Sequence, residues 1–234
     1  MFETENYDTI SILSLAFLQF FILAFIKCLD VGMCKYYSDK ARWFQIHFIM
    51  NMFVTAFCVN DITDILYDVN ESYKVLPNHI AGSIALQLHI YHTLFFELST
   101  IDKYHHISSV FLCFPPSIVF NRKILSLFYF IGTGLPGGIN YLLLTLVKNG
   151  QMGYLEEKKW SSYINAYIRM PGGAVCSFLT LSNVLHTHDM YAKSCGAFLS
   201  FIVFSNTAYF GKLAIENHTE RLTESKFKKE IKET

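Results

Sequence analysis

Long apolar blocks separated by short polar and charged connectors set the pattern of this chain. The blocks predict seven helices, at residues 9–28, 43–59, 79–99, 107–120, 124–147, 161–185 and 194–215, most of them long enough to cross a bilayer. Lys27, Lys35, Lys40 and Arg42 make the first connector basic, and Asp61, Asp64, Asp68 and Glu71 make the second acidic. Pro115-Pro116 predicts a fourth helix that is short or broken, because proline removes a donor and crowds the preceding turn. Gly132-Thr133-Gly134-Leu135-Pro136-Gly137-Gly138 interrupts the fifth helix, and Pro171-Gly172-Gly173 breaks the sixth. Broken backbone at membrane depth is tolerated inside protein or beside a cavity. Small residues also let helices approach closely. Both readings apply to these two stretches.

Composition sharpens the picture. Hydrophobic residues make up 52% of the 234 positions and charged residues 16%, well below the roughly 25% of a soluble domain. Lipid is therefore the expected solvent, and the fold class expected is all-α: a polytopic membrane bundle of six or seven transmembrane helices. Residues 1–8 form an N-terminal tail, 9–215 the transmembrane domain and 216–234 a charged C-terminal tail. The first block is too long for a secretory h-region and no small-residue cleavage site follows it, so it reads as a span. Of the 19 Lys and Arg, 14 fall on one side and 4 on the other if the N-terminus lies outside. Arg169 stays within a helix. This asymmetry places the C-terminus inside, with Arg122-Lys123 on the outer, less basic side. A net charge of zero gives no reason to expect nucleic acid. The six cysteines show no CxxC pair and lie mostly in apolar runs, which reads as small buried side chains rather than a zinc or disulfide framework. Asn70-Glu71-Ser72 is a glycosylation triplet in an outer connector.

The candidate chemistry sits in residues 88–106, which hold four of the nine histidines and two carboxylates. Polar titratable groups in an apolar chain mark a site or a tight internal network. His89 and His92 are three apart and share a helical face, as His47 and Asn51 do one turn apart on helix two. Asp102 and His105 are also three apart, so the carboxylate could orient the imidazole as a general base requires. Such a base would deprotonate an amine or hydroxyl attacking an activated acyl group. His186, His188 and Asp189 make a second cluster, which this topology puts on the opposite side. Three readings of the histidines stand: a structural network, an acyl-transfer site and a metal site. His89-x-x-His92 with His105-His106 is similar to the histidine boxes of membrane di-iron desaturases. Here, however, no HxxxH box exists and Asp102 replaces the first histidine of HxxHH, so no metal ligands are assigned. An intramembrane arginine needs an anionic partner, so Arg169 is expected to hold a phosphate or carboxylate headgroup, or to pair with Glu97.

The runs Ala41-Arg42-Trp43-Phe44-x-x-His47-x-x-x-Asn51, Leu88-His89-Ile90-Tyr91-His92 and Leu98-Ser99-x-x-Asp102-x-x-His105-His106 resemble those of the TLC-domain proteins, the TRAM/Lag/CLN type. Gly134-Leu135-Pro136-Gly137-Gly138-Ile139-Asn140-Tyr141 and Ile168-Arg169-Met170-Pro171-Gly172 look like a less-studied branch. The resemblance spans roughly residues 42–215 and implies a multi-helix membrane fold with a polar cavity. Some members are ceramide synthases, which join a fatty acyl-CoA to a sphingoid base and require an adjacent histidine pair, matched here by His105-His106. The paired aspartates of their following helices have no counterpart in this chain. Other members affect membrane lipid composition, carry cargo or assist translocation without established catalysis.

The function expected is therefore binding of, or action on, a long-chain lipid in an intramembrane cavity, with catalysis left open. His105, His106 and Asp102 would be catalytic; His47, His89, His92 and Arg169 would be lipid-binding. No resident cofactor is expected, acyl-CoA being the co-substrate if acyl transfer occurs. The alternative is a non-catalytic accessory subunit of a larger membrane assembly, with protein partners beside lipid. The endoplasmic reticulum follows from the resemblance, and the mitochondrial inner membrane would give the same charge asymmetry.

Overall fold

A computed structural model describes residues 9–76 and 79–233, with the backbone alone for 9–12, 101 and 232–233. The N-terminal tail expected at 1–8 lies outside the described residues. The described chain is helical, with a single isolated bridge between Val75 and Arg122 in place of any strand. Helix α1 runs over Thr9–Tyr36, α2 over Arg42–Tyr67 and α3 over Ile80–Phe95. α4 (Thr100–Ile107), a π-helical stretch (Ser108–Cys113) and α5 (Phe114–Phe120) follow one another without a gap. α6 (Ile124–Gly132) and α7 (Leu135–Lys148) are offset at Thr133-Gly134. α8 (Tyr154–Ile164), a second π-helical stretch (Asn165–Arg169) and α9 (Met170–Leu185) are again continuous, and α10 spans Met190–Glu233.

These segments make seven rods that alternate in direction among the described residues. Asp30 meets Arg42 and Phe25 meets Phe53, so α2 returns along α1. Gln19 bonds Ser83 and Gln87 while Asp30 bonds Tyr91, so α3 runs parallel to α1. His47 lies on Tyr141 and Asp61 on Ser126, which sets α6–α7 antiparallel to α2. Ser177 pairs with Ser200, and Gly173 abuts Thr207, which sets α10 antiparallel to α9. A Cβ on Gly173 would lie 2.1 Å from Thr207 Oγ1, so only glycine lets these two helices touch there.

Among the described residues four helical segments are long and apolar enough to cross a membrane: Leu13–Tyr36, Arg42–Tyr67, Ile124–Lys148 and Met190–Ile231. Their outer faces carry large exposed apolar side chains, among them Phe17, Phe20 and Phe21 on α1 and Phe201 on α10. A surface of that kind matches a hydrocarbon solvent. The core is polar as well as apolar: Ile26, Ile46, Met50, Leu88 and Leu125 pack beside a buried Asp30 and a buried Asp61.

Several predicted boundaries shift. Helix three ends at Phe95 rather than near residue 99, and the next rod starts at Thr100 rather than 107. The reason is a capping box: Ser99 Oγ accepts from Asp102 N–H, and Asp102 accepts from Ser99 N–H, which satisfies donors that a helix start leaves orphaned. Pro115-Pro116 and Pro171 do not break their rods. The helix widens ahead of each proline instead, with Phe114 N–H reaching Ser109 O and Met170 N–H reaching Asn165 O, five residues back rather than four. Asp61 and Asp64 belong to α2, not to a connector, and the tail from residue 216 continues α10. Of the cysteines, Cys58 and Cys176 are buried, but Cys28 is on an exposed face; all six are free.

Arg122-Lys123, the basic pair on the otherwise less basic side, has its charge answered locally. Lys123 Nζ donates to Asp64 at 2.6 Å and to Glu71 at 3.0 Å, and Arg122 donates to Tyr73 O. Ser72 of the glycosylation triplet is fully buried and accepts from Asn183 Nδ2.

Candidate functional site: a polar cavity among the histidines

A cavity of about 370 Å3 opens between α2, α3, α4, α7, the second π-helical stretch and α10. His47 and Asn51, both on one face of α2, line it. So do His89 from α3, Asp102 and His105 from α4, Asn140 and Tyr141 from α7, and Asn165 and Arg169. The two π-helical stretches flank it, each just ahead of a proline, and contribute Ser109, Val110 and Cys113 from the first and Asn165 and Arg169 from the second to the lining.

The histidines separate into two roles. His105 lines the cavity. Its Nε2 lies 3.4 Å from His89 Nε2, and His89 Nδ1 donates to Ala85 O at 2.6 Å. A carbonyl only accepts, so His89 carries its proton on Nδ1 and offers its Nε2 lone pair to His105. In a neutral pair, the proton of His105 then sits on Nε2 and its Nδ1 is left as the base. His106 turns away from the cavity and is 5% exposed; its Nδ1 donates to His89 O at 3.1 Å and meets Thr93 Oγ1 at 3.2 Å. Asp102 does not bond His105. Its Oδ2 accepts from Ser99, which makes it a helix cap that also borders the cavity. The expectation that Asp102 orients His105 is thereby corrected: His89 is the neighbour of that imidazole.

His92 is fully buried in a ring stack rather than in the cavity. Trp43 lies on it at 4.1 Å and 12°; His47 packs tilted against it at 4.1 Å and also meets Trp43 at 5.5 Å, and Tyr141 stacks on His47 at 4.1 Å and 11°. Neither nitrogen of His92 has a hydrogen-bond partner. Asp30, 1% exposed, is held by Arg42 Nε at 2.6 Å and by the hydroxyl of Tyr91, the residue before His92.

Arg169 reaches into the cavity with its charge unanswered. NH1 donates to Asn165 Oδ1 at 3.2 Å and Nε has no partner. Among the described residues no carboxylate forms an ion pair with it; Glu97 is exposed in the connector after α3. Other buried polar atoms at the cavity also lack partners: His47 Nε2 and Asn140 Oδ1. Glu157 at the mouth is ion-paired to Lys158 at 3.0 Å, without hydrogen-bond alignment. Buried polar atoms are normally satisfied, so a cluster of orphans around an opening points to a ligand or ordered water.

Among the described residues no group of three His, Cys, Asp or Glu side chains has metal-binding geometry. The second cluster is remote from the site, as its topology predicts: Asp189 caps α10 through Ala192 N–H, and His186 lies against Tyr73. Trp43, Tyr141, Asn140 and Asn165 were not singled out as site residues from the sequence. The Asn165–Arg169 spacing of one helical turn was the available signal.

No protein-family model matches the chain, and no curated protein or solved structure gives a match.

Proposed function

We propose that this protein is a lipid-handling membrane protein of TLC type, whose six or seven spans enclose a site for the acyl chain of a lipid with an anionic head. The observation that carries this reading is Arg169, a guanidinium inside the bundle with no carboxylate partner, facing a cavity rather than a salt bridge. Below it the lining turns apolar, with Leu86, Val110, Cys113 and Phe128. A charged head and an apolar tail are what such a lining complements.

If acyl transfer takes place, His105 is the base. It would remove the proton from the attacking amine or hydroxyl of the acceptor, with acyl-CoA as co-substrate and the thiol as leaving group. His106 and Asp102 then act structurally. Native mass spectrometry of the chain in mild detergent tests the binding. A co-purifying lipid is expected in the wild type and a loss of about tenfold or more in Arg169→Met, since a charge-assisted hydrogen bond contributes about 1.5–3 kcal/mol. A wild-type chain that arrives bare overturns the reading.

One observation favours a second reading, an accessory subunit of a larger assembly. From Thr219 to Ile231 the side chains of α10 are exposed along a charged helix that meets the rest of the bundle at the start of α8, where Arg221 lies over Tyr154. Protein partners in fixed ratio, and no lipid, would move this reading to first place.

A further inference from the structure

Resting on the lipid reading, the cavity's closed end carries a sharper statement. Because the rods alternate, Gly82 near the start of α3, Phe114 at the start of α5, Phe128 and Tyr129 on α6 and Ile202 on α10 are the lining positions farthest along their rods from Glu157 and Asn217. Tyr129 crosses this end. Its hydroxyl donates to Ser117 Oγ at 3.0 Å, and a Cβ on Gly82 would lie 2.7 Å from the same oxygen. One side chain, 8% exposed, thus spans from α6 to both α3 and α5. Gly82 has no side chain at the point where the phenol arrives, and Ser117 anchors the phenol there.

We infer that Tyr129 is the stop that sets chain length in this site. The head level is fixed by His89, His105 and Arg169. From His89 to Gly82 the unbroken α3 rises about 10 Å, which accepts about eight carbons of an extended chain at roughly 1.3 Å per carbon from tetrahedral bonds. The volume, about 370 Å3, lies at the lower end of ligand pockets and suits one chain. The ligand class is a single-chain amphiphile with a carboxylate or other anionic head. Longer chains must displace Tyr129 or leave sideways between rods. Tyr129 is a specificity-determining residue, separate from the polar groups at the head.

The test uses the full chain in mild detergent, with saturated fatty acids from octanoate to stearate as probes, competing against a fluorescent fatty acid. Wild type is expected to bind best near nonanoate to decanoate and to lose about tenfold or more in affinity over four further carbons, since overfilling a packed cavity costs about 1–3 kcal/mol. Tyr129→Ala should move the optimum longer by about two to three carbons, the roughly 3.5 Å thickness of the crossing ring at roughly 1.3 Å per carbon. Tyr129→Phe keeps the ring and should leave the optimum where it is. Leu86→Phe, one turn above the floor, should move it shorter, and Tyr129→Leu, which keeps an apolar side chain but removes the crossing ring, should move it longer and decides the matter if Tyr129→Ala fails to fold. An unmoved optimum in a folded Tyr129→Ala or Tyr129→Leu protein, or in Leu86→Phe, overturns the stop while leaving the lipid reading standing. Wild type that binds none of the probes overturns both.

Discussion

Asp30 shows how a single buried charge is made tolerable in an apolar bundle. Its two oxygens are shared by the Arg42 fork and the Tyr91 hydroxyl, so the carboxylate has partners in every direction that matters. Removing one partner leaves a buried ion exposed to the low dielectric, which is far worse than never having had the pair. Arg42→Met is therefore expected to destabilise the chain by roughly 2–3 kcal/mol, below the full buried-pair range because a third of Arg42 is open to solvent. Thermal melting in detergent reads this, and Asp30→Asn with Arg42→Met should recover part of the loss. Arg169 is the contrasting case, a charge left unanswered where a ligand can answer it. Arg169 stands in the sequence as a charge within a helix, whereas Asp30 falls just past the predicted end of the first helix at residue 28. Only the fold tells which is satisfied.

Helix ends and helix contacts carry the next level. The capping box at Ser99 moves Asp102, His105 and His106 from the expected connector at 100–106 into the first turns of a helix, and so aims His105 at His89. Ser99→Ala should cost about 1 kcal/mol and loosen that approach, seen as faster hydrogen exchange over residues 100–107. Gly173 against Thr207 is a contact that tolerates no Cβ. Gly173→Ala is expected to destabilise by about 1–3 kcal/mol through overpacking, and Thr207→Ala in the same chain should relieve it; failure of that rescue would mean the contact is not what strains the variant. The Ser99-x-x-Asp102 spacing was readable from the sequence, whereas the partner of Gly173 was not, because it lies on another helix.

At the scale of the whole molecule, the two ends of the bundle differ in how charge is held. At the end bearing the residue 67–79 connector, Glu71 faces Lys74 and Lys123, with Asp64 on the same lysine. Those ammonium groups, Lys74 foremost, hold the Glu71 carboxyl below its ordinary range. A lowered folded-state value means that the stabilisation is complete above the unfolded carboxylate range near pH 4.3 and is lost as pH falls through the lower folded value. Wild type should therefore lose melting temperature below about pH 4, and Glu71→Gln should be flatter across that window. The alternation of rods also predicts that Ser38→Cys and Asn70→Cys, at opposite ends, react with a membrane-impermeant maleimide from opposite sides of a sealed vesicle. Labelling of both from one side would contradict the orientation.

What the sequence determined by itself was the solvent and the elements: apolar blocks of spanning length must be helical in lipid, since only a helix satisfies its own backbone there. It also marked the polar residues His47, His89, His105 and Arg169, because polar groups in such blocks are rare. What the tertiary structure decided was partnership. Proline was tolerated because a helix can widen to five-residue bonds, so two predicted breaks became cavity walls. His105 and His106 are adjacent in sequence, yet about 100° apart around a helix, so one faces the cavity and the other the protein. Tyr129 gave no sequence signal at all. Its role comes from Gly82 and Ser117, two residues on other helices, and distances between helices are fixed by packing rather than by any local pattern.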